Sequence, residues 1–329
     1  MKYLVMILIF TFVNSAFANK YRDAYIESRK ELKSRNYFTA LDLIASQYKY
    51  TTPSKRIQSY IEKLVTQTGT HYFNTFTDLE LRKLNIPTTD LIMAKRNLYL
   101  RKFGYTHKRL KRMPKDHRLY PEALLVKGSA YLMDKKYTRA LKTYKRCADV
   151  SSNWERKTED KKKNYFAILK ETCIINAARI HFKQKDYKKA ITNYENIPKR
   201  SFKWPYTLLE KAWSYYYTGN YNRSLGILLT YNSPLLESYF TPEAEVLKAL
   251  NYFKLCLYED ALETIDNYYT QYTPRSNKLK SVITSQADKP FYFFDLMFSP
   301  ISESEKESKF LRNLVTQMTN RIIFNFDLN

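Results

Sequence analysis

Apolar and small residues recur through the middle of this chain at intervals that suit paired α-helices and not strands. The stretch from Pro205 to Tyr272 holds two copies of one unit, PYTLLEKAWSYYYTGNYNRSLGILLTY from Pro205 and PEAEVLKALNYFKLCLYEDALETIDNYY from Pro242. Seven residues after each Pro stands a small side chain, Ala212 or Ala249, and three further on a Tyr, Tyr215 or Tyr252. Each unit then carries Tyr at a turn–helix junction, Tyr221 or Tyr258, and a small residue three later, Ser224 or Ala261. Small residues let two helices touch, and rings fill the gaps beside them, so the register predicts antiparallel helix pairs stacked in series.

Two further copies precede these. Pro121, Gly128, Tyr131, Tyr137 and Ala140 keep the intervals, and Ala178, His181, Tyr187 and Ala190 do so with His in the aromatic slot. The second small residues fall at 140, 190, 224 and 261, spaced by 50, 34 and 37. Residues 21–46 read as a first, degenerate hairpin, with Ala40 three places after Tyr37. The polar stretch 151–163 is either a loop or an exposed helical extension. Residues 55–118 are the least regular: a short amphipathic helix, a break at Gly69, a second helix stopped by Pro87, and a third running from Leu91 to Phe103. A new helix is expected after Thr273-Pro274, the apolar run 290–298 would cap the stack, and 302–324 reads as a last amphipathic helix. The expected division is 1–18, 19–118, 119–272 and a capping region 273–329.

Composition narrows the function. With 5 Gly in 329 residues there is little material for glycine-rich phosphate loops. The formal charge of +24 favours anionic partners, or else only keeps the surface solvated. Residues 1–18 have the form of a signal peptide: Lys2, an apolar run from Tyr3 to Val13, and an A-x-A ending at Ala18. That run is too short to span a bilayer. The mature chain is therefore expected in the bacterial periplasm, with the outer membrane open as a place of association, no transmembrane span, and no nucleic acid among its partners. In an oxidising compartment Cys147, Cys173 and Cys256 allow one disulfide. Consecutive helices of a stack are neighbours, which favours Cys147–Cys173; the alternative is three small buried hydrophobes.

One segment concentrates charge. Between Lys95 and Arg118 ten cations meet a single acid, Asp116, with Tyr99, Phe103 and Tyr105 interleaved. Arg101, Lys102, Lys108, Arg109, Lys111 and Arg112 form the candidate anion patch, for an anionic lipid or glycan; the other reading is a solvated helix face and linker. Nothing in the sequence carries catalysis. His71, His107, His117 and His181 are scattered, no nucleophile motif is present, and no metal or cofactor is called for.

The units at 121–148, 171–198, 205–231 and 242–268 resemble tetratricopeptide repeats in their small-x-x-aromatic and Tyr-x-x-small motifs. The exported form is also similar to envelope tetratricopeptide proteins of bacterial gliding and cell-envelope assemblies. The resemblance implies an all-α solenoid of antiparallel hairpins in a right-handed superhelix, whose concave face binds proteins or peptides. It further implies that helix A side chains line the groove, here Lys127, Tyr131, Arg179, Lys211, Trp213 and Lys248. The family's carboxylate-clamp variant finds no match, since its positions hold Ser129, Arg179, Trp213 and Leu250. The chain is thus expected to be a non-catalytic scaffold in an envelope complex, with binding of an anionic envelope polymer or lipid through 95–118 as the alternative.

Overall fold

The computed structural model describes residues 21–49, 51–236, 239, 241–286, 288–289, 291–292, 311 and 314, without the side chains of 160–163. The signal-like segment 1–18, most of the run 290–298 and nearly all of the helix expected over 302–324 lie outside the described residues. The chain groups into two compact units, Met1–Asp134 and Lys135–Asn329. Every described element is helical.

Unit 1 holds a helix over 21–33 (α1), α2 Tyr37–Ala45, α3 Lys55–Thr68, α4 Asp78–Leu84, α5 Pro87–Tyr99, α6 Phe103–Leu110 and α7 Tyr120–Met133. Leu41, Ile44, Ile61, Leu64, Leu81 and Leu84 form one core; Leu91, Ala94, Leu98, Leu110, Ala123 and Val126 form another. Pro87 does not stop a helix. It is the first residue of α5, where its missing N–H costs nothing. The preceding helix ends at Leu84 and is capped by Asn85 in the left-handed conformation, φ 49°, and α5 ends at Tyr99, short of the Phe103 expected.

Unit 2 holds α8 Tyr137–Lys157, α9 Asp160–Lys183, α10 Tyr187–Glu195, α11 Trp204–Tyr217, α12 Tyr221–Leu228, α13 Pro242–Lys254 and α14 Tyr258–Ser285. Each of these helices packs on the next, and α11 also meets α13, the pattern of stacked hairpins. The stretch 151–163 is helical on both sides of a short break and is not exposed throughout: Ser151 is buried and Trp154 stacks on Phe166 at 5.5 Å. Cys147 of α8 and Cys173 of α9, both fully buried, are joined by a disulfide with Cα atoms 6.2 Å apart. The break expected at Pro274 is absent, since α14 runs through it. Cys256 is an exposed free thiol.

One turn recurs in both units. Arg35, Arg101, Lys135, Lys185, Gly219 and Cys256 have φ between 56° and 76°, each two residues before the helix that begins at Tyr37, Phe103, Tyr137, Tyr187, Tyr221 or Tyr258. In such a turn the next residue's N–H reaches back five places, as Asp186 to the His181 carbonyl at 2.9 Å and Asn220 to the Tyr215 carbonyl at 3.0 Å. That bond satisfies a helix-end carbonyl and offsets the strain of a side chain in the left-handed region.

Twelve residues separate the two small side chains of each hairpin. Ala178 and Ala190 share one buried cluster. Where the second or first is hydroxylated, it donates across the crossing: Ser28 to the Ala40 carbonyl at 2.6 Å, Thr106 to Ala94 at 3.4 Å, Ser224 to Ala212 at 3.0 Å. The Thr106 bond identifies α5–α6 as a further hairpin of the series, inside the region that read as irregular.

Candidate functional site

The most developed surface of unit 2 is a row of rings along the hairpin turns. The ring one place after the aromatic slot meets the Tyr that opens the next helix, five residues on. Phe182 meets Tyr187 at 5.3 Å, Tyr216 meets Tyr221 at 5.5 Å, and Phe253 meets Tyr258 at 5.6 Å, all edge-to-face. Two of these pairs join laterally: Tyr217 stacks on Tyr187 at 4.9 Å and on Trp213 at 5.7 Å. Phe182, Tyr187, Tyr217, Trp213, Tyr216 and Tyr221 therefore make one connected aromatic strip. Tyr217 is 51% exposed, and the other five are half-buried, so the strip is held rigid from below and open above. Sequence reasoning found the turn tyrosines and Trp213 but not Phe182, Tyr216 or Tyr217. The i, i+5 spacing across the turn was the signal available.

The residues expected to line a groove are divided between the two units. Lys127 and Tyr131 lie on α7 in unit 1, where Tyr131 packs on the His107 ring at 4.2 Å. The other four lie in unit 2. Three of them are cations already paired within the chain. Arg179 grips Glu210 in bidentate fashion, at 3.0 and 2.7 Å, and Tyr194 donates to the same carboxylate at 2.7 Å. Burial, then the Glu210 charge, push the Tyr194 phenol well above its ordinary pKa. This triad ties α9, α10 and α11 together. Lys211 lies 3.7 Å from Glu195, and Lys248 pairs with Glu245 at 2.8 Å. Trp213 donates its indole N–H to Glu243 at 2.8 Å, which leaves its face to the strip. His181 packs half-buried 3.9 Å from Asp186, and burial lowers its pKa.

The basic segment of unit 1 sorts into two groups. Lys95 pairs with Glu122; Arg96 donates to the carbonyls of Phe73, Asn74 and Phe76 and pairs with Asp78 at 2.9 Å; Arg118 donates to the Thr66 carbonyl at 2.7 Å. These three hold the fold. The second group surrounds a cleft of about 380 Å³ lined by Arg82, Tyr105, Lys108, Arg109 and Arg112. Beneath it Asp90 is buried, 3.2 Å from both Arg109 and Arg112, and Arg112 also donates to Asn85 at 2.7 Å. Burial raises the Asp90 pKa, against the pull of the two guanidinium groups. Of the six expected patch residues, the cleft gathers Lys108, Arg109 and Arg112. Arg101 and Lys102 form the α5–α6 turn, and Lys111 is exposed beyond α6. Arg82, from α4, lies outside the segment that composition singled out.

Among the described residues, no helix is long and apolar enough to cross a membrane. No protein-family model and no curated protein matches the chain. Among solved structures it is similar to BtubC (BKLC) from P. vanneervenii, at 13% identity and TM-score 0.42, over 79% of this chain and 92% of that one. It is also similar to the apo form of RapI, at 14% identity and TM-score 0.42, over 94% of this chain and 77% of that one. The helical-repeat architecture is set by the packing of successive helices on one another.

Proposed function

We propose that this chain is a non-catalytic scaffold of the tetratricopeptide type, exported to the periplasm, which docks a protein partner of a cell-envelope complex on the aromatic strip of unit 2. The strip is the observation that carries the reading. Rings fixed before binding lose little conformational freedom on contact, and buried aromatic anchors dominate the energy of many interfaces. Arg179, Lys211 and Lys248, expected in the groove, are paired with Glu210, Glu195 and Glu245, so docking here rests on rings and not on charge. Export draws support from the signal-like segment 1–18 and from the Cys147–Cys173 disulfide, a bond suited to an oxidising compartment.

The test is retention of the native partner from the envelope fraction on wild-type protein and on the double variant Tyr187→Ala, Tyr217→Ala. Two lost anchors should weaken retention by roughly thirtyfold, about 2 kcal/mol, with the helical content intact. Wild-type retention should change little between low and moderate salt. Retention that the variant keeps in full, or that salt removes steeply from wild type, would point away from an aromatic-anchored contact.

A further inference from the structure

The cleft of unit 1 is independent of the aromatic strip and calls for its own explanation. It is lined by Arg82 of α4, Tyr105, Lys108 and Arg109 of α6, and Arg112 just beyond α6. Four cations against the one carboxylate of Asp90 leave three positive charges in excess. Asp90 does not fill the site. It lies below the cleft with 6% exposure and aligns two guanidinium groups from one side. Arg109 gives only Nη1 to it, so Nε and Nη2 remain without an acceptor among the described residues. Arg82 and Lys108 are exposed and neither is ion-paired among the described residues.

Like charges converging from two helices repel one another, and a fold that needed only solubility would gain by spreading them. Here two arginines are held in place by Asp90 and Asn85, and two further cations stand beside them unpaired. Fixed, partly desolvated guanidinium groups suit the planar, two-oxygen edge of a phosphate, which a lysine then neutralises as a point charge. The volume adds a size limit. At about 380 Å³ the cleft is far larger than a bare ion needs and falls within the range of small-ligand pockets. Tyr105, 65% exposed, offers a ring against which a sugar or other polar ring can lie.

We infer that this cleft is a binding site for a phosphate monoester carried on a small polar group, with Arg82, Lys108, Arg109 and Arg112 as its ligands and Asp90 as the positioning residue beneath them. The same chemistry is offered by a soluble sugar phosphate and by a phosphate-bearing lipid headgroup.

The experiment compares full-length wild type with Arg82→Gln/Lys108→Gln, which removes the two unpaired cations and leaves the Asp90 contacts intact. A control, Lys30→Gln/Lys33→Gln, removes the same charge from the exposed face of α1. Glucose phosphate is titrated by calorimetry, and phosphatidylcholine vesicles containing phosphatidylinositol phosphate, whose monoester is carried on a polar ring, are assayed by co-sedimentation, both at one ionic strength. The cleft variant should bind about tenfold more weakly and the control within about twofold of wild type. Weakening in both arms supports recognition of the ester whatever carries it. Weakening confined to the vesicle arm supports the site with a lipid headgroup as its source. Equal loss in cleft variant and control, no loss in either, or no binding of either probe by wild type overturns the inference. None of these outcomes depends on the aromatic strip, whose variant should bind both probes as wild type does.

Discussion

Replacing Cys147 and Cys173 together with Ala should lower the melting temperature by roughly 10 °C. The bond joins residues separated by 26 positions and closes the long α8–α9 hairpin. A loop of that length loses chain entropy in the unfolded state worth about 3 kcal/mol when bonded. For a unit of this size each kcal/mol moves the midpoint by about 2–4 °C. Alanine is the proper replacement, because both sites are fully buried and a serine hydroxyl there would add a separate desolvation cost. Scanning calorimetry of wild type with and without reductant should show the same shift, and reductant should leave the variant unmoved. A shift below about 3 °C would mean that the bond does not constrain the unfolded chain as argued.

Ala212→Leu should cost about 3 kcal/mol, the upper end for overpacking. Ala212 has no exposed surface and lies where α11 crosses α12, with the Ser224 hydroxyl on its carbonyl at 3.0 Å. Asn251 of α13 donates to that same hydroxyl at 3.0 Å, so one small contact couples three helices. A leucine side chain has no space between these backbones and must push α11 and α12 apart. Asn222→Leu, exposed on the same hairpin, should cost less than about 0.5 kcal/mol. Denaturant unfolding measures both. A neutral Ala212→Leu would show that the small residues do not mark the crossings.

These crossings are also what the sequence made legible. Ala212, Ala178 and Ala190 sit where two helices touch, and contact forbids a larger side chain whatever surrounds it, so their spacing survives variation elsewhere. The α5–α6 hairpin was hidden because Thr106 replaces the usual alanine and Asn97 stands in the aromatic slot. Its marks were nonetheless present: Ala94 seven residues after Pro87, and Phe103 thirty-four before Tyr137. Pro274 misled in the opposite sense. A proline favours a helix start when nothing else decides, but here α14 continues through it. The functional surfaces were harder to read, since whether a cation is available depends on a partner far away in sequence. Arg179 meets Glu210 across 31 positions, and Arg109 meets Asp90 across 19. Charge counting along the chain cannot separate the cations that hold unit 1 together from those that line its cleft, and it passed over Arg82 altogether.

The most direct test of the account is site-specific photo-crosslinking in the native envelope fraction, with benzoylphenylalanine in place of Tyr217 or, as control, in place of Thr192. Thr192 is exposed on α10, five residues beyond Tyr187 and off the strip. The prediction is a discrete protein adduct from position 217, absent from position 192, and lost when Tyr187→Ala is added to the same chain. Equal labelling from both positions, or an adduct at 217 that survives Tyr187→Ala undiminished, would contradict the claim that the ring strip is where this protein holds its partner.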